Sequence, residues 1–340
     1  MNPARRQELA EERLAWVRGV IERRDATAVL LRARRNFAWA TAGDENHVVL
    51  AAEAGVAALL VTRGAATVIT AVNEAPRILD EELAGLPIEV EATPWHDATA
   101  TDDVVRRIGG ATILTDADLE EELGAQRSIL ADLELGRLGW LAGRAVAAVR
   151  RALDGTVAGM TEHEVAGIAA GALAVEGIRA PVLLAAADGR IDRYRHPLPS
   201  DQPIARRLML VAVAERWGLH AAVTRFAELT PPDVQLQERI AAVERIHAAM
   251  VHATRPGATL GQVFAATQAA YAAEGHPDEW KLHHQGGTIG YQGRERVATP
   301  GDGTVIREGM AFAWNPSITG AKAEETIALG ADGPMILTVG

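Results

Sequence analysis

Short strand-forming runs alternate with helical runs over the first third of the chain, and this alternation constrains the fold more than any other feature of the sequence. The strand-like runs are residues 28–32, 57–61, 67–70, 87–90 and 111–114. Residues 75–83 form one of the helical runs between them. Because strands that alternate with helices assemble into layers, this region is predicted to be an α/β domain with its own sheet.

The composition changes after Asp118 to alanine, leucine, glutamate and arginine. Apolar residues then recur at helical spacing, for example between Leu138 and Ala145, which predicts long connecting helices. We therefore place a domain boundary near residue 130. It separates an N-terminal α/β domain (1–130) from a second domain (131–340).

The second domain contains two helix starts of the same kind. Thr161, with Glu164 three residues later, has the pattern of a capping box, and the helix that follows is predicted to end at Gly177. A second capped helix follows the turn at 255–257 and ends at Gly275. Strand-like runs come after each helix. This repeated order indicates internal duplication, although no residue-level repeat accompanies it.

Charge and composition limit the partners of the chain. Its 340 residues carry a formal charge of −11 without long runs of one sign, which argues against binding to nucleic acid or to anionic membranes. The absence of cysteine excludes disulfides and thiolate metal sites and is compatible with a reducing compartment. No run reaches the ~18–20 apolar residues of a membrane span. We expect a cytoplasmic protein that binds a small molecule and another copy of itself.

Four polar clusters fall outside the apolar periodicity, and the first two lie beside predicted strands. His196 precedes Pro197 in a loop ahead of a strand, and its near-neutral pKa suits proton transfer. Thr224 and Arg225 end another strand and offer a hydroxyl and a guanidinium to an anionic or carbonyl group. The alternatives are a surface histidine in a turn and an arginine that is simply solvated.

A glycine-rich stretch, HHQGGTIGYQGRE, spans residues 283–295. Its glycines allow the backbone to turn sharply or to approach a ligand closely. His283 and His284 would point to opposite faces of an extended strand, so at most one of them is expected to face a given site. The alternative is a glycine-rich turn with a pair of surface histidines.

Two adjacent acids, Glu324 and Glu325, follow the strand-like run that ends at Asn315. Strand alternation directs only one of them inward, and an inward carboxylate must be paired or protonated. Arg294 is the expected countercharge.

In this order the clusters resemble the C-terminal domain of the pita-bread fold shared by methionine aminopeptidase, aminopeptidase P, prolidase and creatinase. The resemblance covers the whole chain and implies an α/β (α+β) protein with two-domain creatinase-like architecture and a C-terminal pita-bread catalytic domain. Peptidases of that fold hold two metal ions with five ligands. Here the ligand positions fall on Ala212, Ala222, Gly287, Asn315 and Glu324, so four of the five ligands are missing. The resemblance therefore implies neither metal nor cofactor.

Creatinase is the metal-free hydrolase of this family, and its motif resembles residues 283–295 most closely. The resemblance implies metal-independent hydrolysis of a C–N bond in a small amide, ureido or guanidino compound. His196 would be the general acid/base, and Glu324 would orient the planar group or the water. Thr224 replaces an acid that creatinase uses against a cationic group, which favours a more neutral or anionic substrate. The expected substrate-binding residues are Arg294, His283, His284, Thr224, Arg225, Tyr291, Trp314 and Asn315.

The likeness to creatinase also implies a homodimer in which the partner's N-terminal domain covers the pocket. The candidates for this role are Arg35, Phe37, Trp39 and His47. Two alternatives stay open. One is a catalytically inert pita-bread module that binds a ligand or protein. The other is an Xaa-Pro aminopeptidase-like peptidase with a non-standard metal site formed by His196, His283 and Glu324.

Overall fold

The computed structural model describes residues 3–339, and its contacts divide the chain into two compact units, Met1–Arg127 and Ser128–Gly340. The division falls after residue 127, whereas the change in composition places it near 130. Among the helices of the described part of the chain, none combines the length and the apolar character that a bilayer crossing requires.

The N-terminal unit is built on one five-stranded sheet with the strand order β4-β3-β2-β1-β5. Its elements are α1 (Pro3–Arg23), β1 (Ala28–Ala33), α2 (Arg34–Ala40), β2 (Ala54–Thr62), β3 (Ala66–Ala71), α3 (Ala75–Arg77), β4 (Glu89–Thr93), α4 (Ala100–Gly109), β5 (Ile113–Thr115) and α5 (Glu120–Arg127). All five strand-like runs form strands of this sheet. The helical run at 75–83 is one turn of α3 followed by a π-helical turn over Ile78–Glu82.

Helix α2 carries three of the four residues that we expected to cover a partner's pocket. Phe37 and Trp39 are wholly buried in the core of their own unit, where Trp16 packs edge-on against Trp39 at 5.5 Å between ring centroids. This corrects the expectation for both residues, because an apolar side chain inside its own core has no surface to offer. Arg35 forms ion pairs with Glu53 and Glu120.

The C-terminal unit contains a three-stranded sheet (β6-β7-β8), a five-stranded sheet (β10-β9-β11-β14-β15) and a small hairpin (β12-β13). Its helices are α6 (Asp132–Asp154), α7 (Glu162–Val175), α8 (Gly189–Arg193), α9 (Val234–Ala253) and α10 (Leu260–Ala273). Its strands are β6 (Arg179–Ala187), β7 (Arg207–Arg216), β8 (Leu219–Glu228), β9 (Gly286–Ile289), β10 (Arg296–Val297), β11 (Ala311–Trp314), β12 (Ser317–Ile318), β13 (Ala321–Lys322), β14 (Glu325–Gly330) and β15 (Gly333–Ile336).

Helices α7 and α10 begin in the same way. The Thr161 and Thr259 hydroxyls each accept a hydrogen bond from the backbone N–H three residues later, and each threonine also forms an isolated β-bridge, to Pro203 and to Val305 respectively. Each cap satisfies helix N–H groups that otherwise have no partner. The repeated helix-and-strand order seen in the sequence thus corresponds to two locally similar helix starts, both within the C-terminal unit.

Strands β8 and β14 run close together and join the two larger sheets. The Thr326 hydroxyl donates to the carbonyl of Ala222 at 2.9 Å and accepts from its N–H at 2.8 Å. The backbone N–H of Thr224 donates to the carbonyl of Glu324 at 3.3 Å. These bonds hold the middle of β8 against β14 and the segment that leads into it, which is where the polar site lies.

Candidate functional site

A cavity of about 260 Å³ opens in the C-terminal unit between the two larger sheets. One wall is apolar and consists of Pro181, Val182, Leu184, Val211 and Val213. The opposite wall is polar and includes His196, His284, Arg294, Asn315, Lys322 and Glu324. An apolar pocket with a few convergent polar groups is the usual form of a small-molecule site.

The apolar wall takes the place of the first two ligand positions. Val211 and Val213 of β7 line the cavity, and Ala222 of β8 lies opposite Val213 in the strand register. Ala212 lies between the two valines, so alternation directs its side chain to the other face of the sheet. This corrects the assignment of the first aspartate position to Ala212. Whether the first aspartate position is Ala212 or one of the valines beside it, the side chain there is apolar and offers no metal ligand.

Glu324 lies at the centre of a buried network of charges. Its Oε1 accepts a hydrogen bond from Arg294 Nη2 at 3.1 Å, as the expected pairing of these residues predicts. Its Oε2 accepts from the Thr224 hydroxyl at 2.6 Å and lies 2.9 Å from Lys322 Nζ. Burial alone would raise the pKa of Glu324, but Lys322, Arg294 and the Thr224 hydroxyl together hold that pKa well below its usual range. The carboxylate is therefore ionised with both oxygens engaged.

Three histidines converge beside this network. One ligand-type nitrogen from each of His196, His283 and His284 lies within 4.8 Å of the others. The Nε2 atoms of His196 and His283 are 3.0 Å apart, and His284 Nδ1 accepts a hydrogen bond from the Gly286 N–H at 3.3 Å. Of the adjacent pair, His284 lines the cavity and His283 does not, which agrees with the expectation that at most one of them faces a given site. His283 joins the cluster through its contact with His196.

The three imidazoles are neutral at physiological pH. Burial, assisted by the nearby Lys322 ammonium, lowers the pKa of His283 to about 2. Burial and Arg294 lower the pKa of His284 to about 4. The pKa of His196 is also lowered, first by partial burial and then by Lys322. Of the three rings, His196 is the most exposed to solvent, which makes it the one best placed to exchange a proton with water.

Asn315 and Arg294 each present a buried polar atom that has no hydrogen-bond partner, Asn315 Oδ1 and Arg294 Nε. Both residues line the cavity. Buried polar atoms are nearly always satisfied, so an orphaned pair at one cavity marks the place where a ligand or water completes the bonding.

Two aromatic residues expected in the pocket lie elsewhere. Trp314 is wholly buried in the core beneath α9 and α10, where it stacks on Phe312 and its indole N–H donates to Thr254 Oγ1 at 3.0 Å. Alternation explains this position, since the next residue, Asn315, faces the cavity. Tyr291 is also buried and donates its hydroxyl to Glu134 Oε1. Neither residue lines the pocket.

Arg225 is likewise directed away from the cavity. Its guanidinium lies 2.9 Å from Glu325 and also donates to the carbonyl of Thr338. Thr224 and Glu324 meet in one pair and Arg225 and Glu325 meet in another, as alternation along adjacent segments requires. Thr224 thus acts behind Glu324 by holding its carboxylate, and Arg225 is not a cavity residue.

The geometry excludes the two-ion site of the resembling peptidases. A side chain at Gly287, the position of the ligand histidine, would place its Cβ 1.9 Å from the backbone carbonyl oxygen of Arg296. Ala222 offers no donor atom, and Glu324 is already neutralised by two cations. A pair of divalent ions needs several anionic or imidazole ligands, so the residues present do not fit that metal centre.

Sequence reasoning missed Lys322 and His220. Lys322 is nearly buried and pairs with Glu324, and the spacing of two residues between them was a signal of a shared face. His220 also lines the cavity, and its Nδ1 lies 3.2 Å from the carbonyl oxygen of Gly290. It lies on β8, four residues before Thr224.

Comparison with known proteins places this site in a family. The sequence profile of metallopeptidase family M24 matches residues 140–331. The probable dipeptidase PepE of Mycobacterium tuberculosis is 29% identical over 186 residues, which are 52% of this chain and 49% of that protein. The chain therefore spans about half the length of the curated relatives it matches.

Solved structures show the same fold over nearly the whole chain. The prolidase of Pyrococcus horikoshii superposes with a TM-score of 0.78 at 19% identity, covering 96% of this chain and 98% of the prolidase. The dipeptidase PepE of Mycobacterium ulcerans gives 0.77 at 19% identity, covering 100% and 97%. The chain belongs to metallopeptidase family M24 and has its two-domain architecture with a C-terminal pita-bread domain. Within that family, its cavity lacks the ligand set described above.

Proposed function

We propose that the chain is a hydrolase that cleaves the C–N bond of a small amide or ureido compound bearing a carboxylate, without a metal ion. Family membership supports the hydrolase class. The observation that supports the finer proposal is the cavity in which a neutral His196 faces Arg294, Lys322 and Glu324, with Asn315 beside them.

The charge of the cavity favours an anionic substrate. Lys322 and Arg294 carry two positive charges, and Glu324 carries one negative charge. The net charge of the cavity is therefore +1 when the imidazoles are neutral. Because both oxygens of Glu324 are engaged, the carboxylate is poorly placed to bind a guanidinium group. The apolar wall of valine, leucine and proline suits a short aliphatic side chain. An amide or ureido acid therefore fits better than a guanidino compound.

His196 is the proposed proton carrier. Its neutral imidazole removes a proton from water as the water attacks the carbonyl carbon, and the imidazolium returns that proton to the leaving nitrogen. The Asn315 amide and the His284 ring supply hydrogen bonds to the charge that develops on the carbonyl oxygen. Arg294 or Lys322 binds the substrate carboxylate, since charge-assisted hydrogen bonds fix orientation strongly.

A panel of substrates tests the proposal. Purified protein, dialysed against a chelator, is assayed for amine or ammonia release from N-acetyl amino acids, N-carbamoyl amino acids, dipeptides and guanidino acids. We expect turnover of the first or second class. His196→Ala should lower kcat by about 10²–10⁴-fold, whereas His163→Ala, an exposed residue on α7, should leave it unchanged. Strict dependence on added metal would overturn the metal-free mechanism.

Two rivals give different results in the same panel. A peptidase is favoured by the relatives, which are described as a probable dipeptidase and a prolidase, and it predicts that dipeptides exceed the other classes. An inert binding module predicts no turnover and full biological activity of His196→Ala.

We also propose that the chain forms a homodimer. His47 is followed by three exposed apolar residues, Val48, Val49 and Leu50, each more than half exposed. An exposed apolar run of this kind is typical of an interaction surface. Sedimentation analysis of the wild type and of Val49→Asp tests the proposal, since a dimer through this run should dissociate in the variant.

A further inference from the structure

We propose that His196, His283 and His284 form a binding site for one divalent cation of the Zn²⁺ type, distinct from the two-ion centre of the family, and that a cation bound there inhibits the protein. The inhibitory part rests on the proposed function. The site itself rests on the three converging nitrogens alone.

The spacing of the nitrogens is close to that of ligands around one ion. Zn–N bonds of about 2.0–2.1 Å place neighbouring nitrogens of a tetrahedral site ~3.4 Å apart. The Nε2 atoms of His196 and His283 are 3.0 Å apart, and all three donor nitrogens lie within 4.8 Å of one another. His196 is exposed on a loop, so a modest rotation of its ring brings the set to bonding distance.

The nitrogens are also available. His283 is nine-tenths buried, and its Nδ1 has no hydrogen-bond partner, so the proton of the neutral ring can reside on Nδ1 and leave the Nε2 that faces His196 free to coordinate. The single bond that His284 Nδ1 accepts, from Gly286 N–H at 3.3 Å, is long for a hydrogen bond and is readily exchanged for a metal bond.

The surroundings select the kind of cation. Lys322 and Arg294 exceed Glu324 by one positive charge, which disfavours hard cations that bind through charge attraction to oxygen, such as Mg²⁺ or Ca²⁺. Zn²⁺, Co²⁺ and Ni²⁺ bind neutral imidazole well through nitrogen. The site is therefore predicted to discriminate strongly between these two groups of ions.

Coordination and proton transfer compete for His196. A nitrogen that holds a cation cannot accept a proton from water, so hydrolysis and metal binding exclude each other at this ring. A cation at the cluster also lies beside the cavity that receives the substrate. Zn²⁺ is thus expected to lower kcat, with Mg²⁺ at the same concentration having no effect.

The test uses binding readouts that do not depend on activity. The full chain is titrated with Co²⁺ and followed by the visible bands of four-coordinate cobalt, and with Zn²⁺ by calorimetry. We expect one ion per chain, at least tenfold weaker binding in His283→Ala and in His284→Gln, and unchanged binding in His252→Ala, an exposed histidine on α9. Circular dichroism confirms that the variants are folded.

Other results would overturn the site. Equal affinity in the wild type and in both folded cluster variants, or loss of binding in His252→Ala, would assign the metal to the surface. One bound Co²⁺ in a protein that hydrolyses no substrate would support the site while rejecting the proposed function. Chelator-resistant hydrolysis by a protein that binds no Co²⁺ would support the proposed function while rejecting the metal site.

Discussion

Removing the charge of Glu324 should destabilise the C-terminal unit more than any other single charge change at the site. The Glu324 side chain is 3% exposed, and it pairs with Lys322, which is 6% exposed, and with Arg294. Glu324→Gln keeps the shape of the side chain but leaves two cations in a poorly solvated place. Breaking a buried ion pair by removing one partner costs about 3–5 kcal/mol.

The neighbouring acid provides a matched control. Glu325 pairs with Arg225 at 2.9 Å, but both side chains are about one-fifth exposed, so solvent screens the pair. Glu325→Gln should therefore lower the free energy of unfolding by no more than about 1 kcal/mol. For a unit of this size, 1 kcal/mol shifts Tm by about 2–4 °C. We expect Tm to fall by ~6–20 °C in Glu324→Gln and by at most ~4 °C in Glu325→Gln.

Thermal unfolding at pH 7 is the assay, supported by denaturant titration. The folded-state pKa of Glu324 is lowered, so its stabilisation is fully present above the unfolded pKa of 4.5 and is lost as the pH falls through the folded value. Lys322→Met combined with Glu324→Gln should lose less than the sum of the single changes. Equal losses in the two glutamate variants, or additive losses in the double variant, would refute the buried network.

Two further predictions concern packing and acid stability. Gly287→Ala should lower the free energy of unfolding by about 3 kcal/mol, because the added Cβ meets a backbone oxygen of Arg296. Gly303→Ala is the control: its Cβ meets nothing within 4 Å, so chemical denaturation should show unchanged or slightly higher stability. Burial lowers the pKa of His247 from 6.5 to about 4, so stability should fall by about 3 kcal/mol as the pH drops from 6.5 to 4. The denaturation midpoint is measured at several pH values in this range. Its decrease with falling pH should disappear in His247→Leu and persist in His252→Gln.

Much of the site could be predicted because local rules applied to it. The capped helices follow from Thr161 and Thr259, and the pairing of Arg294 with Glu324 follows from the need to neutralise an inward carboxylate. Strand alternation also correctly predicts that Glu324 and Glu325 point to opposite sides, Glu324 towards Arg294 and Glu325 towards Arg225. The same rule, applied to Asn315 and its neighbour Trp314, would have placed the tryptophan in the core.

Other features depended on segments distant in the chain. Which face of β7 lines the cavity depends on the packing of β8 and β14, so the sequence could not show that Val211 and Val213 face it while Ala212 does not. His283 and His284 converge on His196 because an irregular segment, which has no periodicity to predict from, carries them there.

The amino-acid sequence by itself determined the alternating elements, their caps, the family resemblance and the loss of the metal ligands, because each depends on residue type and short spacing. Only the tertiary structure decided that Lys322 offsets Glu324, that three histidines share one corner, and that Gly287 has no room for a side chain. Those facts depend on distances between segments far apart in the chain, and such distances are set by how the sheets pack.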